Sequence, residues 1–257
     1  MFATERQQQI LAQLRTDGTV RTRVLAGQFR VAEETIRRDL EQLARHGLVA
    51  RTHGGGLDPS RKPLELAQSE RERRNVSEKR HIARAAAKWI QPDETILLDA
   101  SSTALELTAF LPEKIRLATY SLAIVDRLST RTDLELILLG GQFEPRGRRV
   151  SGLLTESALR SLQIDRFFFS GGGFDPQRGV ADPNASQASI KRLAIELANW
   201  SCALLDHSKI GLDADWFFAA PDQFDHLITN APVSTCPPAK ETTKVFTLET
   251  TQASTQS

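Results

Sequence analysis

Cysteine is scarce in this chain and long apolar runs are absent, and both shortages narrow what it can be. Cys202 and Cys236 are its only two cysteines. Two thiols that isolated supply neither a disulfide framework nor the ligand set of a structural zinc site. We therefore expect no metal and no cofactor, and a reducing compartment. No stretch approaches the roughly 18 consecutive apolar residues that cross a bilayer. Glu5, Arg6 and the glutamines at 7–9 rule out a signal-peptide reading of the N-terminus. The expectation is a cytoplasmic protein with no membrane partner. Net charge is nearly absent as well, at +1, but it is unevenly spread. Residues 1–80 carry 16 basic against 11 acidic side chains, and the remainder 17 against 21. A basic head on an acidic body suits a polyanion at one end only.

The first 56 residues carry the sharpest pattern. Ile10, Leu11 and Leu14 stripe a first helix over 5–15, which Asp17-Gly18 stops. A second helix over 23–29 carries Val24, Leu25 and Phe29, followed by a tight Arg30-Val31 turn. A third helix over 33–46 buries Ile36, Leu40 and Leu43 and closes at Gly47. That spacing turns Thr35, Arg37, Arg38 and Glu41 outward, with both arginines early in the helix. In helix-turn-helix readers that part of the second motif helix enters the major groove. Arginine suits the task because its planar fork grips guanine or phosphate through two hydrogen bonds. Ala32 stands where a side-chain cap would be preferred, an omission worth roughly 1 kcal/mol. Residues 48–50 read as a short strand, and a basic wing follows with Arg51, His53 and Gly54 to Gly56. The expected DNA-contacting residues are Thr35, Arg37, Arg38, Arg51, His53 and Gly54. The partner is a double-stranded operator, and a single head is too small for tight specific binding, so a homo-oligomer (a dimer or tetramer) is expected.

Residues 57–76 read as a linker, since Asp58-Pro59 and Lys62-Pro63 interrupt regular structure. The charged run at 69–74 reads as a solvated helical face, the alternative being that Arg71, Arg73 and Arg74 touch DNA phosphates or a neighbouring subunit. From 77 to 233 helix-like and strand-like segments alternate, with apolar strands at 95–99, 116–119, 134–139, 166–170, 202–206 and 226–229. Such alternation predicts an α/β domain with a mainly parallel sheet covered on both faces. Ligands of that architecture bind beyond the carboxyl ends of the strands. Polar residues gather there: Asp99, Ser101, Ser102, Thr103, Thr119, Gly140, Gly141, Gly171, Gly172, Lys191, Asp206 and Lys209. The three hydroxyls before a helix make a phosphate seat, the lysines add positive charge, and Asp99 or Asp206 accepts sugar hydroxyls. The expected effector is a phosphorylated sugar. In the tail, 234–257, residues 244–248 could add one edge strand and the last eight are expected to be disordered.

Thr35-Ile36-Arg37-Arg38-Asp39-Leu40 followed by Arg51-Thr52-His53-Gly54-Gly55 resembles the N-terminal signature of the DeoR family of bacterial transcription regulators. The resemblance continues through 98–103, 139–141, 151–152, Asp165, 171–175, Lys191-Arg192 and 206–209. It implies a winged helix-turn-helix head and a sensor domain similar in fold to ribose-5-phosphate isomerase and CoA transferases. It also implies control by a phosphorylated sugar, with repression as the default outcome. The D-A-S-S-T version at 99–103 is similar to a subgroup concerned with L-fucose use, implying a deoxysugar phosphate. Ala32, Ser101, Glu144 and Asn230 depart from the usual pattern. Two other functions compete: a sugar-phosphate isomerase or acyl-group transferase with an added head, and an architectural DNA-binding protein whose body only oligomerises.

Overall fold

The computed structural model describes residues 2–17, 19–52, 54–57, 67–232 and 244–247. His53, Cys236, most of the expected linker and most of the tail, including its last eight residues, lie outside the described residues. The chain divides into two units, Met1–Leu64 and Glu65–Ser257, each with its own core.

The first unit runs α1 (Ala3–Asp17), β1 (Thr19–Arg21), α2 (Thr22–Phe29), α3 (Glu33–Arg45), β2 (Ala50–Thr52) and β3 (Gly55–Leu57). Ile10, Leu14, Leu25, Ile36, Leu40 and Val49 close a small core between the three helices and the sheet. On α2 the buried line is Thr22, Leu25 and Ala26, with Phe29 partly buried. Val24, expected on that face, is 56% exposed because it lies off the i, i+3, i+4 stripe. The strand expected at 48–50 begins two residues later. Gly47 takes φ +69°, and Gly47 N and Leu48 N close the end of α3 on Ala44 O (2.9 Å) and Leu43 O (3.0 Å). That cap consumes the donors a strand there would need. Strand β1 went unread in the sequence. Its Val20 pairs opposite Gly56, so the sheet order is β1-β3-β2, all antiparallel.

In the second unit, α4 (Gln68–Arg73) and α5 (Val76–Ala87) precede β4 (Thr95–Leu98). Then come α6 (Ser102–Leu107), β5 (Arg116–Thr119), α7 (Leu122–Leu128) and β6 (Glu135–Leu138). A hairpin follows, β7 (Gln142–Glu144) and β8 (Arg149–Ser151), then α8 (Leu153–Arg160) and β9 (Arg166–Phe169). The chain continues with β10 (Gly173–Asp175), β11 (Gly179–Asp182), α9 (Ala185–Leu197), β12 (Ser201–Leu205), β13 (Trp216–Ala219), β14 (His226–Thr229) and β15 (Lys244–Thr247). Seven strands form one sheet in the order β15-β14-β12-β9-β4-β5-β6, every pairing parallel.

Successive side chains of the central strands point to opposite faces, and burial is near-continuous because both faces are covered. Leu97, Phe167, Phe169, Ala203 and Leu205 pack with α8 and α9, whereas Ile96, Leu98, Phe168, Cys202 and Leu204 pack with α5, α6 and α7. Both faces being apolar explains why these strands read as continuous hydrophobic runs. The small antiparallel sheet β10-β11-β13 and the β7-β8 hairpin had no such signature in the sequence. Each of these strands is only three or four residues long. Part of the expected linker also belongs here: Gln68 is buried in the second unit, so α4 is part of its packing.

Candidate DNA-reading face and ligand site

On α3, Ile36, Leu40 and Leu43 face inward, and this leaves Arg37 and Arg38 with side chains 53% and 78% exposed. Arg37 reaches Glu33 (3.6 Å) and Glu34 (3.5 Å), and Arg38 reaches Glu34 (3.7 Å). Exposed pairs this long are worth well under about 1 kcal/mol, so phosphate can displace them. The N-cap Ala32 makes no side-chain hydrogen bond, and Thr35 is half-buried, its amide bonded to Ala32 O at 3.0 Å. The preceding turn places Arg30 in the left-handed region, φ 54°. Asp39, inside the same motif, points the other way: it accepts from Arg6 Nε at 2.5 Å and Gln7 Nε2 at 3.0 Å in the head's interior. It is the fastener between α1 and α3.

In the wing, Arg51 Nη1 donates to Gly55 O at 2.8 Å. Gly54 O accepts from Thr22 N at 2.9 Å, and a Cβ on Gly54 would meet nothing within 4 Å. A Cβ on Gly55 would stand 1.9 Å from Val20 O. Gly55 is therefore bare for the sake of β1, and Gly54 is the open position.

The second unit brings polar residues together at the carboxyl ends of its strands. Chain order passes from β4 outward through β5 and β6, then returns on the other side of β4 at β9, so the switch point lies between β4 and β9. There Asp99, 0% exposed, accepts from Ser101 N (3.0 Å) and Ser170 N (3.0 Å), tying the two strand ends together. Lys191 Nζ lies 2.7 Å from Asp182, 2.7 Å from Ser170 O and 3.2 Å from Asp99. Tyr120, at the end of β5, is fully buried, and burial together with Asp99 and Asp182 holds its phenol well above the usual value. Asn184 Oδ1 caps α9 through Gln187 N, while the buried Gln187 Nε2 has no partner.

Arg149 donates twice to Glu144 Oε2, at 2.9 and 2.7 Å. Glu144, a departure from the family pattern, thus neutralises a buried guanidinium.

Several expected residues are taken up by the scaffold. Thr119 donates to Leu98 O (2.9 Å) and accepts from Ser121 N (3.1 Å), stitching β5 to β4. Ser101 caps α6 through Ala104 N (3.1 Å), and Ser102 and Thr103 are buried beside it. A Cβ on Gly141 would stand 2.2 Å from Thr155 Oγ1, on Gly171 2.5 Å from Val180 Cγ1, and on Gly172 2.6 Å from Pro183 Cδ. Gly140 alone of these has open space, its carbonyl accepting from Thr155 at 2.7 Å.

A second cluster lies past β12. Asp206 Oδ1 accepts from Asn75 Nδ2 (2.9 Å) and Ser208 N (2.9 Å), and Asn230 Oδ1 accepts from His207 N at 2.7 Å. Burial raises the Asp206 carboxyl, but Lys209's charge and Ser208's hydrogen bonds outweigh it and hold it below the usual range. Arg71 from α4 and Lys79 from α5 join Lys209 here. Sequence reasoning missed both, because a charged run reads as a solvated face and Lys79 follows no motif.

Two family models match the chain: a DeoR-like helix-turn-helix domain over residues 6–61 and a DeoR C terminal sensor domain over residues 74–231. A Bacillus subtilis protein called uncharacterized HTH-type transcriptional regulator YulB is 34% identical over 90% of this chain and 90% of its own. The L-fucose operon activator of Escherichia coli is 34% identical over 88% of this chain and 94% of its own. Among solved structures, ribose 5-phosphate isomerase A from Methanocaldococcus jannaschii is similar over 52% of this chain and 54% of its own, at 16% identity and a TM-score of 0.37.

Proposed function

The chain belongs to the DeoR family of transcriptional regulators, and from that premise we propose that it is an operator-binding switch for a sugar-use operon, set by a phosphorylated sugar. Its head reads DNA through Arg37 and Arg38 with Thr35 beside them, and the wing residues Arg51, His53 and Gly54 hold the adjacent backbone. The observation that carries this reading is the division of α3: one face sealed by Ile36, Leu40 and Leu43, the other offering two exposed guanidinium groups held only by weak pairs. Acting on chromosomal DNA makes the cytoplasm its place of work. Among the described residues, no helix is long and apolar enough to cross a membrane.

The effector lies over the switch point between β4 and β9. Gln187 Nε2, a buried donor without a partner, supports a ligand there, because buried donors are rarely left unpaired. Asp99, Lys191 and Thr119 are held there by hydrogen bonds to the protein itself. A deoxysugar phosphate is the class we favour, since the L-fucose operon activator is similar over most of both chains. We take repression as the sense of control, although that relative is named an activator.

Catalysis is disfavoured by the state of the carboxylates. A general base must be free to take a proton from substrate. Asp99 and Asp182 are engaged by Lys191, and Asp206 by Asn75 and Ser208.

The test is fluorescence anisotropy of purified protein on its own promoter and on random duplex at fixed salt, with a panel of sugar phosphates. The expected result is a preference for the promoter of at least about a thousandfold, altered by one sugar phosphate and by no free sugar. Equal binding to both duplexes would sink the DNA-reading assignment; turnover of an aldose or ketose phosphate would revive the enzyme reading.

A further inference from the structure

Helix α5 turns Lys79, Ile82, Ala83 and Ala86 inward and leaves Arg80, Arg84 and Lys88 exposed. Lys88 caps the helix with φ −65° and ψ −15°, so it continues the helical row. Spaced at i, i+4 and i+8, the three cations run about 12 Å along the side turned away from the buried Lys79. Glu78, the one carboxylate on α5, falls on the other flank of the helix.

Other exposed cations of this unit have carboxylates at hand. Arg116 pairs with Glu135 at 2.8 Å, Arg127 with Glu106 at 3.1 Å and Arg178 with Asp213 at 3.9 Å. Arg80, Arg84 and Lys88 have no such partner among the described residues, although residues 81–257 hold 21 acidic side chains against 17 basic. Two of the three are nonetheless held in place. The Arg80 and Arg84 guanidinium groups lie 5.8 and 5.2 Å from the centre of the Phe110 ring, in the turn after α6. A cation–π contact positions a guanidinium without consuming its N–H donors, so both forks stay open to an anion. Like charges four residues apart destabilise a helix, and this row repeats that pair twice. The helix C-terminus accounts for a cation at Lys88 but not for Arg80 and Arg84 in the middle of α5.

We propose that the Arg80–Arg84–Lys88 face of α5 is a second, sequence-independent DNA contact, carried by the sensor unit, that receives phosphates flanking the stretch the head reads. The partner follows from charge complementarity: a straight row of unpaired cations fits a polyanion whose charges also repeat along a line. Each strand of a duplex carries one phosphate per about 3.4 Å of axis, so the row spans about three of them. The proposal rests on the head's DNA binding only in that the head brings the duplex to the protein. Contacts of this kind add affinity and salt dependence without adding sequence information.

The test measures fluorescence anisotropy of the full chain on two duplexes over a range of salt. One is its promoter fragment trimmed to the shortest length that binds specifically. The other is extended by roughly 20 base pairs of random sequence on each side, about two turns. In the wild type the extended duplex should bind at least about tenfold tighter at low salt, with a salt slope steeper by about 2 to 3. Arg80→Gln, Arg84→Gln and Lys88→Gln combined should remove the added slope and most of the gain. Arg80→Lys and Arg84→Lys together should keep both, because a phosphate is served by charge. As a control, Arg116→Gln, Arg148→Gln and Arg178→Gln combined remove equal charge from exposed positions already paired with carboxylates, and the gain should persist. Circular dichroism establishes that each variant is folded. A triple α5 variant that keeps the wild-type gain and slope, or a control that loses as much, overturns the proposal. If that triple variant binds both duplexes normally yet no longer controls its promoter in cells, the row belongs to an acidic protein surface and the DNA contact falls. Equal affinity for promoter and random duplex, with the length effect intact and lost in the triple variant, would fell the head's sequence reading and leave this contact standing.

Discussion

Lys191 and Asp182 form a buried ion pair 2.7 Å long, with Asp99 3.2 Å from the same ammonium. One lysine thus balances two carboxylates at the strand ends, and Lys191→Met would leave both without a cation. Breaking such a pair costs about 3–5 kcal/mol. Burial raises the Asp182 carboxyl, and Lys191's charge and hydrogen bond more than offset it, leaving it below the usual range. Its stabilisation is therefore present above the unfolded value of about 3.9 and is lost as pH falls through the folded value. In Lys191→Met burial is opposed only by the Asn184 amide and the Arg149 charge, so the folded value rises above the unfolded one and stability declines as pH rises. Urea unfolding at pH 5 and pH 7 should show the variant more stable at pH 5, whereas in the wild type this group contributes nearly equally at both. Unchanged stability at both would remove the pair from the scaffold.

Arg37 and Arg38 should matter to DNA and hardly at all to folding. Each Arg→Ala change should weaken operator binding by about 1–3 kcal/mol and relax sequence preference at the base it reads. Thermal stability should move by less than about 0.5 kcal/mol, as for exposed positions generally. Glu34→Gln should act the other way, raising affinity for any duplex because Glu34 lies within 3.7 Å of both guanidinium groups. Titrations at several salt concentrations separate the effects. An operator indifferent to both arginines would mean that α3 is not the reading helix.

The wing offers a paired control. Gly55→Ala puts a methyl 1.9 Å from Val20 O and must push β3 off β1. It should destabilise the head by several kcal/mol in calorimetry. Gly54→Ala meets nothing in the protein, so its stability should hold, and any fall in DNA affinity reports contact with the duplex. A stable Gly55→Ala variant would show that β1 does not pair as described.

The helices of the head were legible because each seals one stripe against a common core: Ile36, Leu40 and Leu43 announce α3 by spacing alone. Strand β1 was not, since three residues between two helices carry no periodicity and pair only because β3 brings Gly55 and Gly56 alongside. The parallel strands announced themselves by being apolar on both faces. The site was less legible. Asp99, Thr119, Gly141 and Gly171 look like ligand contacts in sequence, and each meets the protein's own backbone or side chains. Arg71 looks like a solvated charge, and its guanidinium donates to Ala100 O beside a strand end.

The amino-acid sequence alone determined that there are two units, that one presents paired arginines on an amphipathic helix, and that the other is a covered parallel sheet. Those properties follow from local spacing and hydrophobicity, which every neighbour along the chain can read. Only the tertiary structure decided which polar groups serve each other and which are left over. Lys191 spends its charge on Asp99 and Asp182 at 3.2 and 2.7 Å, whereas the Lys209 ammonium acts on Asp206 without an ion pair or hydrogen bond among the described residues. That difference depends on distances between residues far apart in the chain, and in a buried setting a shift of one or two ångströms decides whether a charge is satisfied or waiting.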